Sequence, residues 1–302
     1  MSKILLFYKY ISLENPEAIK KWQRTLCDSL ELKGRILIGK EGINATIGGS
    51  LAALETYKQA MNSHELFGGI DWKEAAGSAI HFPRMRIVVR KEIVALGIDP
   101  ETLTPAQGGA HLTPAQTHNL INNRKELVLL DARNNYESAV GTFRNALTPD
   151  IKNFRDLPQW IEQHIDQFKD KEVLMFCTGG IRCERATSVL KIKNVAKEVY
   201  QIQGGIHRYI EQYPDGHFRG KNYVFDGRIA VKANEDVLGR CHICQKKEDT
   251  YTNCLNVLCN RHFICCDPCL GTMSNTCNTT CQELVKTQKV KVRGQLRPMY
   301  AE

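Results

Sequence analysis

The chain has 302 residues, 42% of them hydrophobic and 25% charged, with a formal net charge of +8. This length accommodates two or three domains, each with its own core, and the composition is ordinary for a soluble protein. The opening apolar run is short and broken by Lys9, so it reads as a strand and not as a secretory signal; no other segment reaches the length of a membrane span.

The first element in chain order is a strand over residues 4–11, ILLFYKYI. Asn15, Pro16 and Glu17 open a helix whose apolar positions are Ile19, Trp22, Leu26 and Leu30. Two short strands, 34–39 and 43–48, are joined by Lys40, Glu41 and Gly42. Ser50 caps a second helix carrying Leu51, Leu54, Tyr57 and Met61, and residues 85–94 close the unit as its last strand. The order β-α-β-β-α-β predicts a ferredoxin-like α+β domain over residues 1–97. Its strands carry no obvious RNA-stacking aromatic pair, so the mechanism of an RNA-recognition motif is not supported. Residues 98–112, which contain Pro and Gly, predict an interdomain linker.

Thr113 and Pro114 then start a helix, and 127–131 and 173–177 are apolar runs suited to buried parallel strands. Residues 157–168 and 184–192 have helical periodicity, and 197–202 reads as another parallel strand. These elements predict a three-layer α/β domain over 113–215, followed by a cysteine-rich region over 216–302. Cys177 falls at the carboxyl end of a strand, where open α/β sheets place their ligands.

The segment 174–190, LMFCTGGIRCERATSVL, carries the chemistry. An apolar strand ends at Cys177, two glycines follow, and an amphipathic helix begins near Arg182. Gly179 and Gly180 let the backbone curl so that several N–H groups converge on one anionic centre. The helix N-terminus, Arg182 and Arg185 add positive charge, and together these features favour a nucleophilic thiolate. A packing cysteine would need neither the glycines nor the arginines. Cysteine phosphatases close this loop with an arginine one position further on, where it grips phosphate bidentately; here that position is Cys183. The shorter loop, Cys177 with the cradle Thr178, Gly179, Gly180, Ile181 and Arg182, suits a smaller group such as a persulfide on the cysteine itself. Cys183 has two readings. It could attack an oxidised Cys177 and form a disulfide, or it could pack in the first helical turn; the restrictive geometry of a disulfide favours packing.

Three of the twelve cysteines lie in the first 240 residues and nine in the last 62. With no secretory signal read, the expected compartment is reducing, which disfavours a disulfide framework. Cys241/Cys244 and Cys266/Cys269 are C-x2-C pairs, the spacing with which two thiolates grip one tetrahedral ion. One economical solution is a cross-braced pair of zinc sites: Cys241, Cys244, Cys266 and Cys269 in one, Cys254, Cys259, Cys277 and Cys281 in the other. His262 and Cys265 remain as substitutes. The net charge is spread as +3 over residues 1–100, +2 over 101–240 and +3 over 241–302, which permits RNA binding without requiring it. Lys286, Lys289, Lys291, Arg293 and Arg297 form the most basic stretch, readable as an RNA contact or as a solvated tail.

The Cys177 loop resembles that of rhodanese domains. The resemblance extends to residues 128–146, where Asp131, Arg133, Glu137 and Gly141 occupy the positions of a rhodanese Asp-x-Arg strand end, acidic residue and turn, and to 199–211, which is similar to the final strand, Gly-Gly turn and helix. Asp131 and Arg133 would hold loops together beside the active site. With residues 34–50, 81–97, 109–116 and 218–231 included, nearly the whole chain resembles the tRNA uridine hydroxylase (TrhO) family. That resemblance implies a cytoplasmic enzyme that converts the wobble uridine of tRNA to 5-hydroxyuridine, with molecular oxygen as co-substrate and Cys177 essential. No flavin, haem or nucleotide motif is visible, and the nine histidines show no iron-binding pattern. Two other functions remain open: a sulfurtransferase acting through a Cys177 persulfide, and a metal-stapled RNA-binding adaptor.

Overall fold

The computed structural model describes residues 2–294. The first domain comprises β1 (Ser2–Tyr10), α1 (Pro16–Ser29), β2 (Lys33–Gly39), β3 (Gly42–Ser50), α2 (Leu51–Ser63), β4 (Lys73–Ala76) and β5 (Met85–Val89). The helices start where side-chain caps satisfy free backbone donors: Asn15 accepts from the Ala18 N–H and Ser50 from that of Ala53. The sheet order is β4-β1-β3-β2-β5. Its first four strands are the ferredoxin-like arrangement, but the closing strand differs from the expectation. Lys73–Ala76 pairs with β1, whereas Met85–Val89 is an additional edge strand, parallel to β2. Four residues with two alanines carry no readable strand pattern, which is why the longer apolar run looked like the closing strand. After Val89 the chain leaves the sheet, and Ile93 is held by Glu41 and Asn44.

Alternate strand residues such as Leu5, Phe7, Ile36 and Ile38 pack with α1 and α2 in one core. Leu51 of α2 faces outward, at 38% exposure. The opposite face of the sheet carries no α-helix of its own among the described residues, only the short turn at Ala79–His81, and turns toward the second domain.

That domain contains β6 (Ala110–Leu112), α3 (Pro114–Asn123), β7 (Val128–Asp131), α4 (Asn135–Ser138), β8 (Gly141–Phe143), α5 (Leu157–Gln163), β9 (Glu172–Phe176), α6 (Ile181–Lys193), β10 (Glu198–Ile202) and α7 (Gly205–Gln212). The parallel sheet has the order β6-β10-β9-β7. Residues 110–112, at the end of the expected linker, are thus its edge strand. Leu130 and Met175 pack on one face with α5 and α6, and Leu129, Leu174 and Phe176 pack on the other with α7. This alternation of apolar residues makes the expected three layers.

Strands β11 (Phe218–Tyr223) and β12 (Ala230–Lys232) form a small sheet with β8. The cysteine-rich lobe follows with β13 (Tyr251–Asn253), β14 (His262–Ile264), α8 (Asp267–Thr272) and α9 (Thr279–Lys286). The basic stretch is not a free tail over its described part. Val257 N–H donates to the Lys291 carbonyl, and Arg293 bonds Leu255 and Asn260. Arg297 lies outside the described residues.

Candidate active site

Strand β9 delivers Cys177 to a loop that ends where α6 begins. Gly180 caps the helix at φ +99°, a left-handed value that favours glycine, and its N–H donates to the Cys177 Sγ at 3.2 Å. Gly205, at φ +67°, allows the 203–205 turn to approach the loop; a Cβ there would meet the Cys177 carbonyl at 2.5 Å. The sulfur is surrounded by donors. Burial pushes its pKa up, but the Cys183 thiol, the Arg182 charge and the backbone N–H groups of Cys183 and Arg182 outweigh burial and bring it down to about 6. Burial, and then the hydrogen bond to Cys177, hold Cys183 far above the ordinary thiol range. Cys183 is therefore packed in the core and also donates to its neighbour.

Arg182 lines the cleft but is already paired. Its guanidinium forms a buried, bidentate ion pair with Glu137, both N–O distances being 2.6 Å, and also donates to Thr178 Oγ1 at 3.3 Å. Thr178 donates in turn to the Tyr223 carbonyl, while the Ile181 carbonyl accepts from Tyr10. Because Glu137 matches most of the Arg182 charge, the nearby S–H and N–H donors carry more of the thiolate's stabilisation than the sequence suggested.

The expectation that Arg185 charges the thiolate is not met. Arg185 is fully buried on another side of α6, where it pairs with Glu92 at 2.6 Å and donates to the carbonyls of Ile98 and Leu103. It ties the linker to the helix. Nor is α6 amphipathic: Arg182, Cys183 and all residues from 185 to 190 are buried. Asp131 and Arg133 form a second buried pair, with Arg133 also bonded to the Gly141 carbonyl and Asp131 accepting from Thr142. Neither lines the cleft above Cys177.

That cleft, about 1300 Å³, lies between the helix-free face of the first domain, the Cys177 loop and the β11–β12 connection. Sequence reasoning missed its other walls. Tyr8 donates to Glu184 at 2.8 Å, and Leu6 packs so close to Gly179 that a Cβ there would meet it at 2.8 Å. Lys73 is buried, pairs with Asp71 at 2.8 Å and sits over the Tyr8 ring. Burial holds its pKa below the ordinary lysine value against the pull of Asp71 and Cys177. His81 and Asn222 line the cleft with buried polar atoms that have no protein partner. Phe225, 57% exposed, sits over the Arg182 guanidinium at 5.6 Å. A phenylalanine next to the Asp226-Gly227 turn was the one readable signal among these.

The cysteine-rich lobe gathers two sets of thiols: Cys241, Cys244, Cys266 and Cys269, and Cys254, Cys259, Cys277 and Cys281. In each set the four sulfurs lie within 4.8 Å of one another, and either set could hold a metal ion. His262 belongs to neither; it bonds Asn253 and Tyr223 and stacks on Tyr251. Cys265 also stands outside both sets and donates to the Cys266 carbonyl. The lobe leans on the active-site side of the molecule, since the Tyr251 hydroxyl donates to the Tyr136 carbonyl, beside Glu137.

Comparison with known proteins gives these units relatives. Residues 2–93 match the UPF0176 acylphosphatase like domain, 113–212 the Rhodanese-like domain and 219–282 the Rhodanase C-terminal family. The tRNA uridine(34) hydroxylase of Corynebacterium jeikeium is 43% identical, covering 89% of this chain and 89% of that protein. Its counterpart in an Arthrobacter species is 39% identical, over 89% and 94%. Rhodanese-like domain-containing protein 6 of Arabidopsis thaliana is 38% identical, over 88% of this chain and 50% of that protein. With this identity over almost its whole length and a rhodanese-like domain at its centre, the chain belongs to the tRNA uridine(34) hydroxylase family.

Proposed function

We propose that this protein hydroxylates uridine 34 of tRNA to 5-hydroxyuridine, with the chemistry at Cys177. The observation that carries the reading is a thiol held near neutrality at the floor of an interdomain cleft, in a chain related over its length to hydroxylases of that uridine. An enzyme that acts on a nucleobase takes it out of the stack and into a pocket, and this cleft has the volume and the unpaired polar atoms to receive one. His81 and Asn222 offer hydrogen-bonding atoms to the alternating carbonyls and N–H of a pyrimidine. Cys177 acts as the nucleophile, its thiolate cradled by Gly180, Arg182 and Cys183. Glu137 holds Arg182, and through it the loop, in place. Molecular oxygen is the co-substrate, one atom entering the base and the other leaving as water with two electrons from an external reductant, and the cytoplasm is the site of action, where tRNA is met. Zinc occupies the two cysteine sets, whose all-thiolate donors and lack of an open ligand position suit a structural ion.

The test is nucleoside mass spectrometry of bulk tRNA from cells with the gene, without it, and with Cys177→Ser. Loss of 5-hydroxyuridine in the last two is expected, because a serine hydroxyl fills nearly the same space but does not ionise. Wild-type levels with soluble Cys177→Ser protein would overturn the assignment. A sulfurtransferase is the second reading, favoured by the rhodanese loop itself. It predicts sulfur transferred to an acceptor and no change in 5-hydroxyuridine.

A further inference from the structure

Most cations around the cleft are already paired: Arg182 with Glu137, Lys73 with Asp71 and Arg228 with Asp226. Arg155 of the second domain is not, nor are three on the first domain, of which Arg35 and Arg90 line the cleft and Arg86 stands beside Arg35. Arg35 on β2, Arg86 on β5 and Arg90 just beyond β5 are exposed, and no side-chain partner is found for them among the described residues. Strand register explains their placement. Leu6 pairs with Thr46, Thr46 with Arg35, and Arg35 with Arg86, so one row crosses four strands on the helix-free face. At about 4.8 Å per strand the row runs roughly 14 Å. Toward the cleft it reaches Leu6, packed on Gly179 beside Cys177, and then Lys73 on β4, the partner of Leu6. Its outer end is two guanidinium groups directly opposite each other.

Like charges in register weaken a sheet, and folding gains nothing from this pair. Burial and the neighbouring charges of Arg86 and Arg90 hold the Arg35 pKa below the ordinary arginine value. A cluster that repels itself, faces solvent and leads toward a reactive thiol is matched by a ligand carrying several negative charges in a line. We infer that the row is the track on which the phosphodiester backbone of the tRNA substrate lies while one base enters the Cys177 cleft. The inference rests on the tRNA reading proposed above. It assigns the RNA contact to the first domain's sheet and not to the basic stretch of the cysteine-rich lobe, whose described part contributes no residue to the cleft wall.

The experiment uses the full chain and a fluorescent anticodon stem-loop RNA, with affinity measured from about 50 to 200 mM salt. The variants are Arg35→Gln/Arg86→Gln/Arg90→Gln, the same three to Lys, and Lys286→Gln/Lys289→Gln/Lys291→Gln. Each lost phosphate contact on a single strand flattens the plot of log affinity against log salt by about 0.7. The Gln triple should therefore flatten it by about two. Across that salt range the wild type should lose roughly 15- to 20-fold more affinity than the triple. The Lys triple should keep the wild-type slope, as should the variant in the lobe. Alkylation of Cys177 in the Gln triple should match the wild type, which shows that the fold is intact. A folded Gln triple with wild-type slope, or a flattened slope in the lobe variant, overturns the track. A wild-type protein that neither binds this RNA nor makes 5-hydroxyuridine overturns the tRNA reading on which the track depends.

Discussion

Cys177 is one sulfur ringed by donors, whereas the cysteine-rich lobe arranges eight sulfurs around two points. The first arrangement favours a negative charge on the cysteine, as the nucleophile proposed above requires. The second places four sulfurs within 4.8 Å of one another, a repulsive grouping once ionised, which a cation converts into attraction. The apolar support differs in parallel. The Cys177 loop is set on a strand and helix with a core of leucine, isoleucine, valine and phenylalanine. The buried cluster of the lobe consists of Phe263, Leu270 and five cysteines. A reactive cysteine is thus recognised by the groups around it, and a structural one by its fellow cysteines.

Metal removal should expose this difference most strongly. A structural zinc site in a small domain contributes on the order of 10–16 kcal/mol at neutral pH. Chelation should therefore unfold the lobe first and release eight reactive thiols, while the two α/β domains keep their secondary structure. Because thiolates must lose protons to bind, acidification should release the metal too. Elemental analysis of protein purified under reducing conditions should find two ions per chain. Metal-free protein with an ordered, disulfide-bonded lobe would refute this and make the lobe a redox element.

A smaller effect is expected at Arg182. Arg182→Ala leaves Glu137 as an uncompensated buried charge, which costs about 3–5 kcal/mol. Adding Glu137→Gln to that variant should recover most of the loss in a denaturant melt. If Arg182→Ala were as stable as the wild type, the ion pair would not be what holds the loop.

Much of this was legible in the sequence, for local reasons. The caps Asn15, Ser50 and Thr113 fix helix starts within a few residues, and apolar runs at 127–131 and 173–177 fix the parallel core. The two thiol sets follow from the C-x2-C spacing and the remaining cysteines. What was hidden depends on distant partners. Nothing near Arg182 in the chain points to Glu137, 45 residues away, or directs Arg185 to Glu92, 93 residues away. A helix buried on every side gives no periodic pattern to say which arginine faces the thiol. The cleft wall was hidden for the same reason: Leu6, Tyr8 and Lys73 reach the loop only once two domains pack. Lys73 also lies on a four-residue strand that propensity does not reveal.

The central claim is that the loop holds Cys177 as a thiolate near neutral pH. The direct measurement is the rate of iodoacetamide labelling at Cys177, mapped by mass spectrometry, from pH 4.5 to 10 on the full chain. Buried at the cleft floor, the thiol will label slowly, so the midpoint and not the absolute rate is the readout. A depressed pKa means that labelling falls as pH drops through about 6 and is flat above it. In Cys183→Ala, loss of a hydrogen bond to the charged sulfur, worth about 1.5–3 kcal/mol, should raise the midpoint by roughly one to two pH units. A wild-type midpoint near 9, the ordinary thiol value, would contradict the account.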